Sequence, residues 1–395
     1  IKTPNIDRMA KEGMLFTQHY AGCTVSAPSR CSLMTGLHTG HTQVRGNREI
    51  TPEGQQPMRE DTYTLGKLMK SAGYTTGIFG KWGLGNPGSV SIPNKMGFDE
   101  FYGYNCQRQS HSFYPDHLWH NEEKVLFPEN ENNACKTYSQ DLIHEQALKF
   151  IRDHKEQPFF AMLTYTLPHA ELNLPHDSIY KMYENSFEET PYIGKFDKVY
   201  GGYNTSEKPL ASFAAMVSRL DKYVGDVMAE LKELGLDKNT IVIFTSDNGP
   251  WLTEHENGGS AGPLKDGKGT WWEGGFRVPA ICWMLGKINP AINDEIMTSM
   301  DLYPTFLSMA GIEQPKDLVL DGVNQTGLLF EEKHSARDEV YYWWGSELMA
   351  IRKGEWKYYF KTIKDQYLRT CKIETPAEPL LYNVETDISE RFNQA

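Results

Sequence analysis

The sequence has no run of apolar residues that approaches the roughly 20 needed to cross a membrane. Positive charge is also scarce. The 395 residues include 40 Lys and Arg against 52 Asp and Glu, which gives a net charge of −12. A nucleic acid or an anionic membrane surface would require a basic face, so this balance argues against both partners. A small anionic substrate is not excluded, since a few buried cations set the local field of a site.

Cysteine is sparse and irregularly spaced. The six cysteines form no CxxC pair and no repeating pattern; they are Cys23, Cys31, Cys106, Cys135, Cys282 and Cys371. This argues against a zinc site and against a dense disulfide scaffold, and it leaves one or two bridges open.

The start of the chain also lacks a signal peptide and a first strand, because Ile1–Met9 predicts a loop that enters a helix. We therefore expect the sequence to begin inside the fold.

Helix and strand patterns alternate along the chain. This order predicts an α/β fold with a mostly parallel central sheet flanked by helices. The predicted pairs are a helix capped by Thr62 with strand Thr75–Phe79, a helix capped by Ser139 with strand Phe159–Thr164, and helix Ala211–Leu234 with strand Thr240–Thr245. Residues 86–136 predict a long polar and aromatic loop that walls a cleft.

The pattern changes after Asp321-Gly322. Two short strands, Ala350–Arg352 and Trp356–Phe360, predict a β-hairpin. We therefore expect a main domain over residues 1–325 and a small C-terminal antiparallel subdomain over residues 326–395.

Chemically active residue types follow three of the predicted strands. Lys81, His169 and the pair Asp247-Asn248 each lie just past the carboxyl end of a strand. Because ligands of open α/β sheets bind beyond those ends, we expect these side chains to meet at one edge of the sheet.

Ser26 lies at the predicted start of another helix. Pro28 suits the first position of that helix and Gly36 suits its end. Ser26 would then face free backbone N–H groups and the positive end of the helix dipole, with Arg30 one turn further on. Taken locally, a serine at such a position is more often a helix cap than a nucleophile.

The longer string Cys23–Gly36 changes that interpretation. It resembles the sulfatase signature, in which Cys or Ser is followed by any residue, Pro, any residue and Arg, and then by a Leu-x-Thr-Gly ending. Four further segments resemble family motifs in the family's order: Gly80–Gly85, Pro168-His169, Thr245–Gly249 and Lys268–Pro279. Five motifs in one order are far more than a chance match would produce.

The resemblance implies a sulfuric ester hydrolase of the alkaline phosphatase superfamily. Its Ser26 would be oxidised to formylglycine by a maturation enzyme, and the hydrated aldehyde would attack sulfur. Arg30, Lys81 and Lys268 would neutralise the sulfate, and His169 would protonate the leaving oxygen. The Ser-type signature further implies a bacterial protein that is periplasmic or secreted.

The resemblance also implies a metal site and two departures from the family pattern. Asp247, Asn248 and position 26 would bind Ca²⁺, but the family's aspartate pair belongs upstream of Ile1, so we expect an incomplete calcium site in this sequence. The family commonly carries His where this chain has Gly83, and that His is the usual partner of the formylglycine hydroxyl. The candidates to replace it as the base for sulfate elimination are His111 first and His117 second.

Two alternative functions stay open at this point. A phosphomonoesterase or phosphodiesterase of the same superfamily would share the fold, the metal and a Ser or Thr nucleophile, but it lacks the Pro28 and Arg30 context. A non-catalytic protein that binds sulfated glycans would carry Ser26 unmodified.

The expected substrate is a small-molecule or oligosaccharide sulfate ester. We expect Tyr102–Trp119 and Arg45–Arg48 to shape the pocket for its leaving group. These residues suit a sugar at least as well as an aryl ring.

Overall fold

The computed structural model describes residues 1–195, 202–252, 257–363 and 372–395. Its helices are α1 (Pro4–Glu12), α2 (Ser26–Thr35), α3 (Leu65–Ser71), α4 (Ser139–Asp153), α5 (Ser178–Lys181), α6 (Pro209–Glu233), α7 (Glu273–Phe276), α8 (Leu302–Met309) and α9 (Thr326–Phe330). Its strands are β1 (Met14–Tyr20), β2 (Thr75–Lys81), β3 (Glu100–Tyr104), β4 (His117–His120), β5 (Glu123–Leu126), β6 (Phe159–Thr164), β7 (Val242–Thr245), β8 (Arg277–Trp283), β9 (Ala291–Asn293), β10 (Met297–Thr298), β11 (Glu339–Trp344), β12 (Glu347–Lys353), β13 (Trp356–Tyr359), β14 (Thr362–Ile363), β15 (Ile373–Glu374) and β16 (Leu380–Asn383).

The chain divides into two compact units. The first unit consists of Ile1–Met9 and Arg48–Thr240, and the second of Ala10–Asn47 and Ile241–Ala395. The predicted boundary between residues 325 and 326 falls within the second unit and stays a prediction.

In the described part of the chain, no helix combines the length and apolarity that a membrane crossing needs. The five described cysteines are all free, and Cys371 lies outside the described residues.

The first unit is built on a sheet with the strand order β5-β4-β3-β2-β6. Strand β2 pairs in parallel with β3 and β6, and β3, β4 and β5 continue antiparallel. Helix α4 packs its apolar face on this sheet, with the rings of Phe150 and Phe79 5.4 Å apart. The helical spacing of Ile143, Ala147 and Phe150 produces that buried face, as the sequence pattern predicts.

The second unit contains a mixed sheet of order β10-β1-β8-β7, with β9 also on β1. Strand β1 is parallel to β9 and β10 and antiparallel to β8. A separate antiparallel sheet, β11-β12-β13-β16, forms the C-terminal part of the chain. The α/β class and the small antiparallel C-terminal sheet are confirmed. Within that class the pairing is mixed, because parallel and antiparallel neighbours occur in both larger sheets.

Several element boundaries differ from the sequence prediction. Residues 86–136 are not one loop, because strands β3, β4 and β5 lie within them. The cap of α3 is Thr64 rather than Thr62, since the Thr64 hydroxyl accepts a hydrogen bond from Lys67 N. Ser139 is the first residue of α4 and does not cap it, because its hydroxyl donates to the carbonyl of Phe113.

A buried ion cluster joins the C-terminal sheet to the segment that precedes β8. The ammonium of Lys357, on β13, lies 2.9 Å from Glu273 Oε1 and 3.1 Å from Glu390 Oε1, and all three side chains are fully buried. Lys357 also donates to the carbonyl of Trp271 at 2.8 Å. Lys357 is therefore the cation that the two buried carboxylates share, and it fixes the backbone just before α7.

Lys357→Met should destabilise the protein strongly. The change leaves Glu273 and Glu390 buried without their shared cation, and breaking a buried pair in this way costs about 3–5 kcal/mol. The free energy of unfolding in urea measures the loss. Lys353→Met is the matched control on the neighbouring strand β12, where the Lys353 side chain is 69% exposed, and it should change stability little. Equal losses in the two variants would contradict the role of the cluster.

Candidate active site

Helix α2 places Ser26 in its first turn. Val25 holds the cap position without a capping side chain, and the amide of Asn47 instead accepts a hydrogen bond from Ala27 N at 2.8 Å. Ser26 is therefore the first residue of the helix, not its cap, and it is only 3% exposed. Pro28 fits inside the first turn because the N–H groups there have no partner within the helix. The helix ends at Gly36, which has the left-handed φ of 67°.

The residues that follow β7 lie beside this helix start, within the second unit. The Ser26 hydroxyl is 3.5 Å from Asn248 Oδ1, towards which it donates. Asp247 Oδ2 accepts from Arg30, at 3.1 Å from Nε and 3.0 Å from a terminal nitrogen. The Asn248 amide nitrogen donates to the carbonyl of Gly249, which fixes the amide oxygen on the side of Ser26. The predicted grouping of Ser26, Arg30, Asp247 and Asn248 is thus present in the structure.

Lys268 belongs to the same group. Its backbone nitrogen donates to the carbonyl of Pro250, and its ammonium lies 5.1 Å from the centre of the Trp251 ring. Burial lowers the pKa of Lys268, an effect that the charge of Asp247 opposes and that of Arg30 reinforces. The ammonium is therefore held in a poorly hydrated place, where its attraction to an anion is stronger than in water.

The loop of Lys268 is fixed directly to the segment before Ser26. Gly269 N donates to the hydroxyl of Thr24 at 2.7 Å and to the Thr24 carbonyl at 3.2 Å. Thr24 is fully buried. Neither the role of Thr24 nor the capping role of Asn47 is apparent from the sequence, because both depend on contacts between distant parts of the chain.

The donor atoms near Ser26 are oxygens, the type of ligand atom that a hard cation such as calcium prefers. Asp247 and Asn248 offer a carboxylate and an amide oxygen, and residue 26 adds a third oxygen. Calcium accepts oxygen ligands of these types but takes about 6–8 of them. Arg30 also bonds one of the Asp247 oxygens. These three residues could hold part of the coordination sphere of a calcium ion.

In the first unit, Lys81 ends strand β2. Its neighbour Gly80 has φ of 122°, and a Cβ there would meet the carbonyl oxygen of Thr164 at 2.2 Å. Only glycine allows β2 and β6 to approach this closely, and the approach fixes where Lys81 leaves the sheet. Trp82 then donates its indole N–H to the carbonyl of Ser91 at 2.7 Å. Lys81 is 3% exposed, so it is not a solvated surface lysine.

The structure brings His111 and His169 together within the first unit. Their rings stack with centres 5.0 Å apart and an angle of 22°, and the ring of Tyr203 contacts both. His117 lies elsewhere, on β4, where Asp116 and Glu53 bond its two ring nitrogens at 2.8 and 3.1 Å. Burial would lower the pKa of His117, but these two hydrogen bonds outweigh it and raise the pKa to about 8. Of the two candidate bases, His111 is the one beside His169.

A titratable residue that the sequence analysis missed lies two positions after His169. Glu171 is fully buried and accepts hydrogen bonds from Asn204 N at 3.2 Å, from Asn204 Nδ2 at 3.1 Å and from Asn173 N at 3.0 Å. Burial raises its pKa to about 7, against the effect of these donors. In the sequence, Glu171 could have been singled out because it is an acidic residue that closely follows the pair Pro168-His169.

Gly83, where the family commonly has His, adopts φ of 74°. A Cβ at this position would meet Cγ of Gln107 at 2.8 Å. The backbone conformation and the neighbouring Gln107 therefore both oppose a side chain at position 83. This is consistent with glycine, rather than the histidine of the family motif, at this position.

A serine in the first turn of a helix, beside an arginine and a partly buried lysine, suits the binding of an anionic ester. The chain belongs to the sulfatase family, because the Sulfatase family model matches residues 1–312 and the model of the C-terminal region of aryl-sulfatase matches residues 335–395. The protein is thus a sulfuric ester hydrolase.

Known proteins are similar over nearly the whole chain. An arylsulfatase of Hemicentrotus pulcherrimus is 31% identical over 98% of this chain and 72% of its own length. An N-acetylgalactosamine-6-sulfatase of Canis lupus familiaris is 33% identical over 91% of this chain and 67% of its own. The solved structure of Ps i-CgsB in complex with k-i-k-neocarrahexaose aligns with a TM-score of 0.78 at 27% identity, covering 99% of this chain and 83% of that one.

Thr24→Val should loosen the loop of Lys268. The variant keeps the shape of residue 24 but removes the hydroxyl that accepts from Gly269, which should lower stability by about 1–2 kcal/mol and reduce kcat/KM for an aryl sulfate. Thr35→Val is the matched control, because the Thr35 hydroxyl only donates to the carbonyl of Cys31 within α2. The two variants are compared by their kcat/KM for the aryl sulfate and by their free energy of unfolding in urea. Full activity of Thr24→Val would contradict the positioning role of Thr24.

Proposed function

We propose that the protein removes sulfate from a sulfated carbohydrate and that residue 26, oxidised from serine to formylglycine, is the nucleophile. The observation that most supports this proposal is the position of Ser26 in the first turn of α2, with its hydroxyl 3.5 Å from Asn248 Oδ1. A hydroxyl there meets the partial positive charge of the helix N-terminus, which favours the anionic form of an attacking oxygen. Arg30, on the next turn, adds a full positive charge.

Formylglycine, once formed at position 26, supplies a hydrated aldehyde with one hydroxyl that attacks sulfur and a second that allows sulfate to be released. The rest of the chemistry comes from side chains already present. Arg30 and Lys268 neutralise the oxygens of the sulfate as charge develops on them. Lys81, buried at the end of β2, is assigned the same task by the family resemblance.

Asp247, Asn248 and residue 26 would hold the calcium ion of this site. When bound, the ion supplies positive charge beside the nucleophile. Arg30 positions the Asp247 carboxylate, since it bonds Oδ2 by two of its nitrogens. The Asn248 side chain is oriented by its bond to the carbonyl of Gly249.

Two histidines of the first unit divide the proton transfers in this proposal. His169 gives a proton to the leaving oxygen of the sugar, and His111 takes the proton whose loss expels sulfate. The two imidazole rings are stacked, so the proposed acid and the proposed base lie side by side.

A carbohydrate substrate is supported by the names of two of the similar proteins, the N-acetylgalactosamine-6-sulfatase and the structure in complex with k-i-k-neocarrahexaose, whereas the name of the arylsulfatase points to an aryl ester. The Ser-type signature supports maturation by a separate oxidising enzyme and a bacterial protein that is periplasmic or secreted.

The modification has a direct test. In its own host, the peptide that contains residue 26 should be lighter than its sequence predicts by the mass of the two hydrogens lost on oxidation. It should also react with an aldehyde-specific hydrazide, whereas Ser26→Ala should not. Peptide mass spectrometry of purified protein measures both. If protein that turns over sulfate esters carries only unmodified serine, formylglycine is not its nucleophile.

His169→Ala should lower turnover most for substrates with poor leaving groups. General-acid catalysis contributes about 10²–10⁴-fold, and an activated aryl oxygen needs little of it. The measurement is kcat across a series of aryl and sugar sulfates, with His176→Ala, an exposed histidine between β6 and α5, as control. Aryl phosphates of the same series separate a sulfatase from a phosphatase. A loss that is uniform across the series would show that His169 is not the acid.

A further inference from the structure

Two histidines and an aspartate cluster in the second unit, away from the residues assigned above. His38 and His41 lie on the segment after α2, and Asp321 lies on the segment between α8 and α9. His41 Nδ1 is 3.0 and 2.9 Å from the two carboxylate oxygens of Asp321, and His38 Nε2 is 3.8 Å from Oδ1. One potential ligand atom from each residue lies within 4.8 Å of the others.

Hydrogen bonds that each involve a backbone group hold these residues in place. The backbone nitrogens of Asp321 and Gly322 donate to the carbonyl of Gly36 at 3.0 and 2.9 Å. Arg337 donates to the carbonyl of Asp321 at 2.7 Å. The backbone nitrogen of His38 donates to Asp321 Oδ2 at 3.0 Å. The two segments are therefore joined at the end of α2, so the three side chains are preorganised.

An ordinary hydrogen-bonded pair accounts for only part of this arrangement. His41 and Asp321 form such a pair, but Nε2 of His38 is too far from the carboxylate for a hydrogen bond. Nδ1 of His38 is buried and has no hydrogen-bond partner among the described residues. The His38 ring is stacked between His41, at 4.1 Å, and Trp343, at 5.4 Å. The backbone N–H of His38 bonds this carboxylate, whereas its imidazole lies beside the carboxylate without a hydrogen bond from the ring.

We propose that His38, His41 and Asp321 bind one zinc ion. Zinc sits about 2.0–2.1 Å from imidazole nitrogen and carboxylate oxygen, so tetrahedral ligand atoms lie about 3.3 Å apart. The separations of 2.9 Å between His41 and Asp321 and of 3.8 Å between His38 and Asp321 lie on either side of that value, and all three ligand atoms lie within 4.8 Å of one another. Two imidazoles with one carboxylate suit zinc, whereas calcium prefers oxygen ligands alone. The cysteine spacing in the sequence argued against a zinc site, but this site would use no cysteine.

The fourth coordination position would open into a pocket. A cavity of about 310 Å³ is lined by all three residues, together with Tyr341, Trp343 and Glu339. A water molecule or a polar group of a small ligand would fill the open position, as in zinc sites with three protein ligands. This zinc site is distinct from the oxygen donors Asp247 and Asn248, and it does not depend on the proposed sulfatase mechanism.

Calorimetric titration of the whole protein with zinc tests the proposal. We expect one zinc per chain, and cobalt bound in its place should show the visible absorption of a four-coordinate ion. His41→Ala should weaken binding by at least about 100-fold, because loss of even an outer partner of a ligand costs 10–100-fold. The His41 side chain is 60% exposed, so its removal should leave the fold intact, which circular dichroism checks. His38→Ala should weaken binding in the same way.

Two controls separate this site from others. His334→Ala removes an exposed histidine that is also paired with a carboxylate, Glu295, at 2.6 Å, and it should leave zinc affinity unchanged. Asp247→Ala should also leave it unchanged. The proposal is overturned if the unaltered protein binds no zinc, if folded His41→Ala binds it with unaltered affinity, or if either control loses it.

Discussion

The buried carboxylate of Glu273 holds together the parts of the second unit on which its reactive residues depend. It accepts hydrogen bonds from the hydroxyls of Tyr20 on β1 and Tyr342 on β11, and from the ammonium of Lys357. Burial would raise the pKa of Glu273, but Lys357, Arg352 and Arg277 outweigh it and lower the pKa to about 2. Since Glu273 begins α7, a few residues after Lys268, the C-terminal sheet determines where the loop of Lys268 can lie.

The sequence predicts those parts of the fold that local patterns determine. Helix α4 has apolar residues at helical spacing, strand β6 is a mostly apolar run that follows Pro158, and both were found at the expected places. Strands β3, β4 and β5 could not be predicted in the same way, because their aromatic and polar residues do not alternate regularly and their pairing depends on partners outside the segment. Likewise, Thr62 and Thr64 are both possible caps by residue type, and the structure shows that the Thr64 hydroxyl accepts from Lys67 N and donates to the carbonyl of Met96.

The candidate site divides along the same line. The motif around Ser26 follows from sequence, and the structure groups Ser26 with Arg30, Asp247 and Asn248. The prediction that Lys81, His169 and Asp247-Asn248 follow strands of one sheet is wrong, because β2 and β6 belong to the sheet of the first unit and β7 belongs to that of the second. The second level of contacts does not follow from sequence. Asn47 was expected to shape a substrate pocket, yet its amide accepts a hydrogen bond from the first turn of α2. The family resemblance supplied roles, whereas only the coordinates supply the bonds that hold those residues.

Gly83 limits what a single substitution could do to this site. A side chain at position 83 needs both a left-handed backbone and the space that Cγ of Gln107 fills. A histidine introduced there alone would therefore be strained and crowded. Shortening the side chain of residue 107 would relieve the crowding but not the backbone strain, so a histidine here carries a conformational cost in either case.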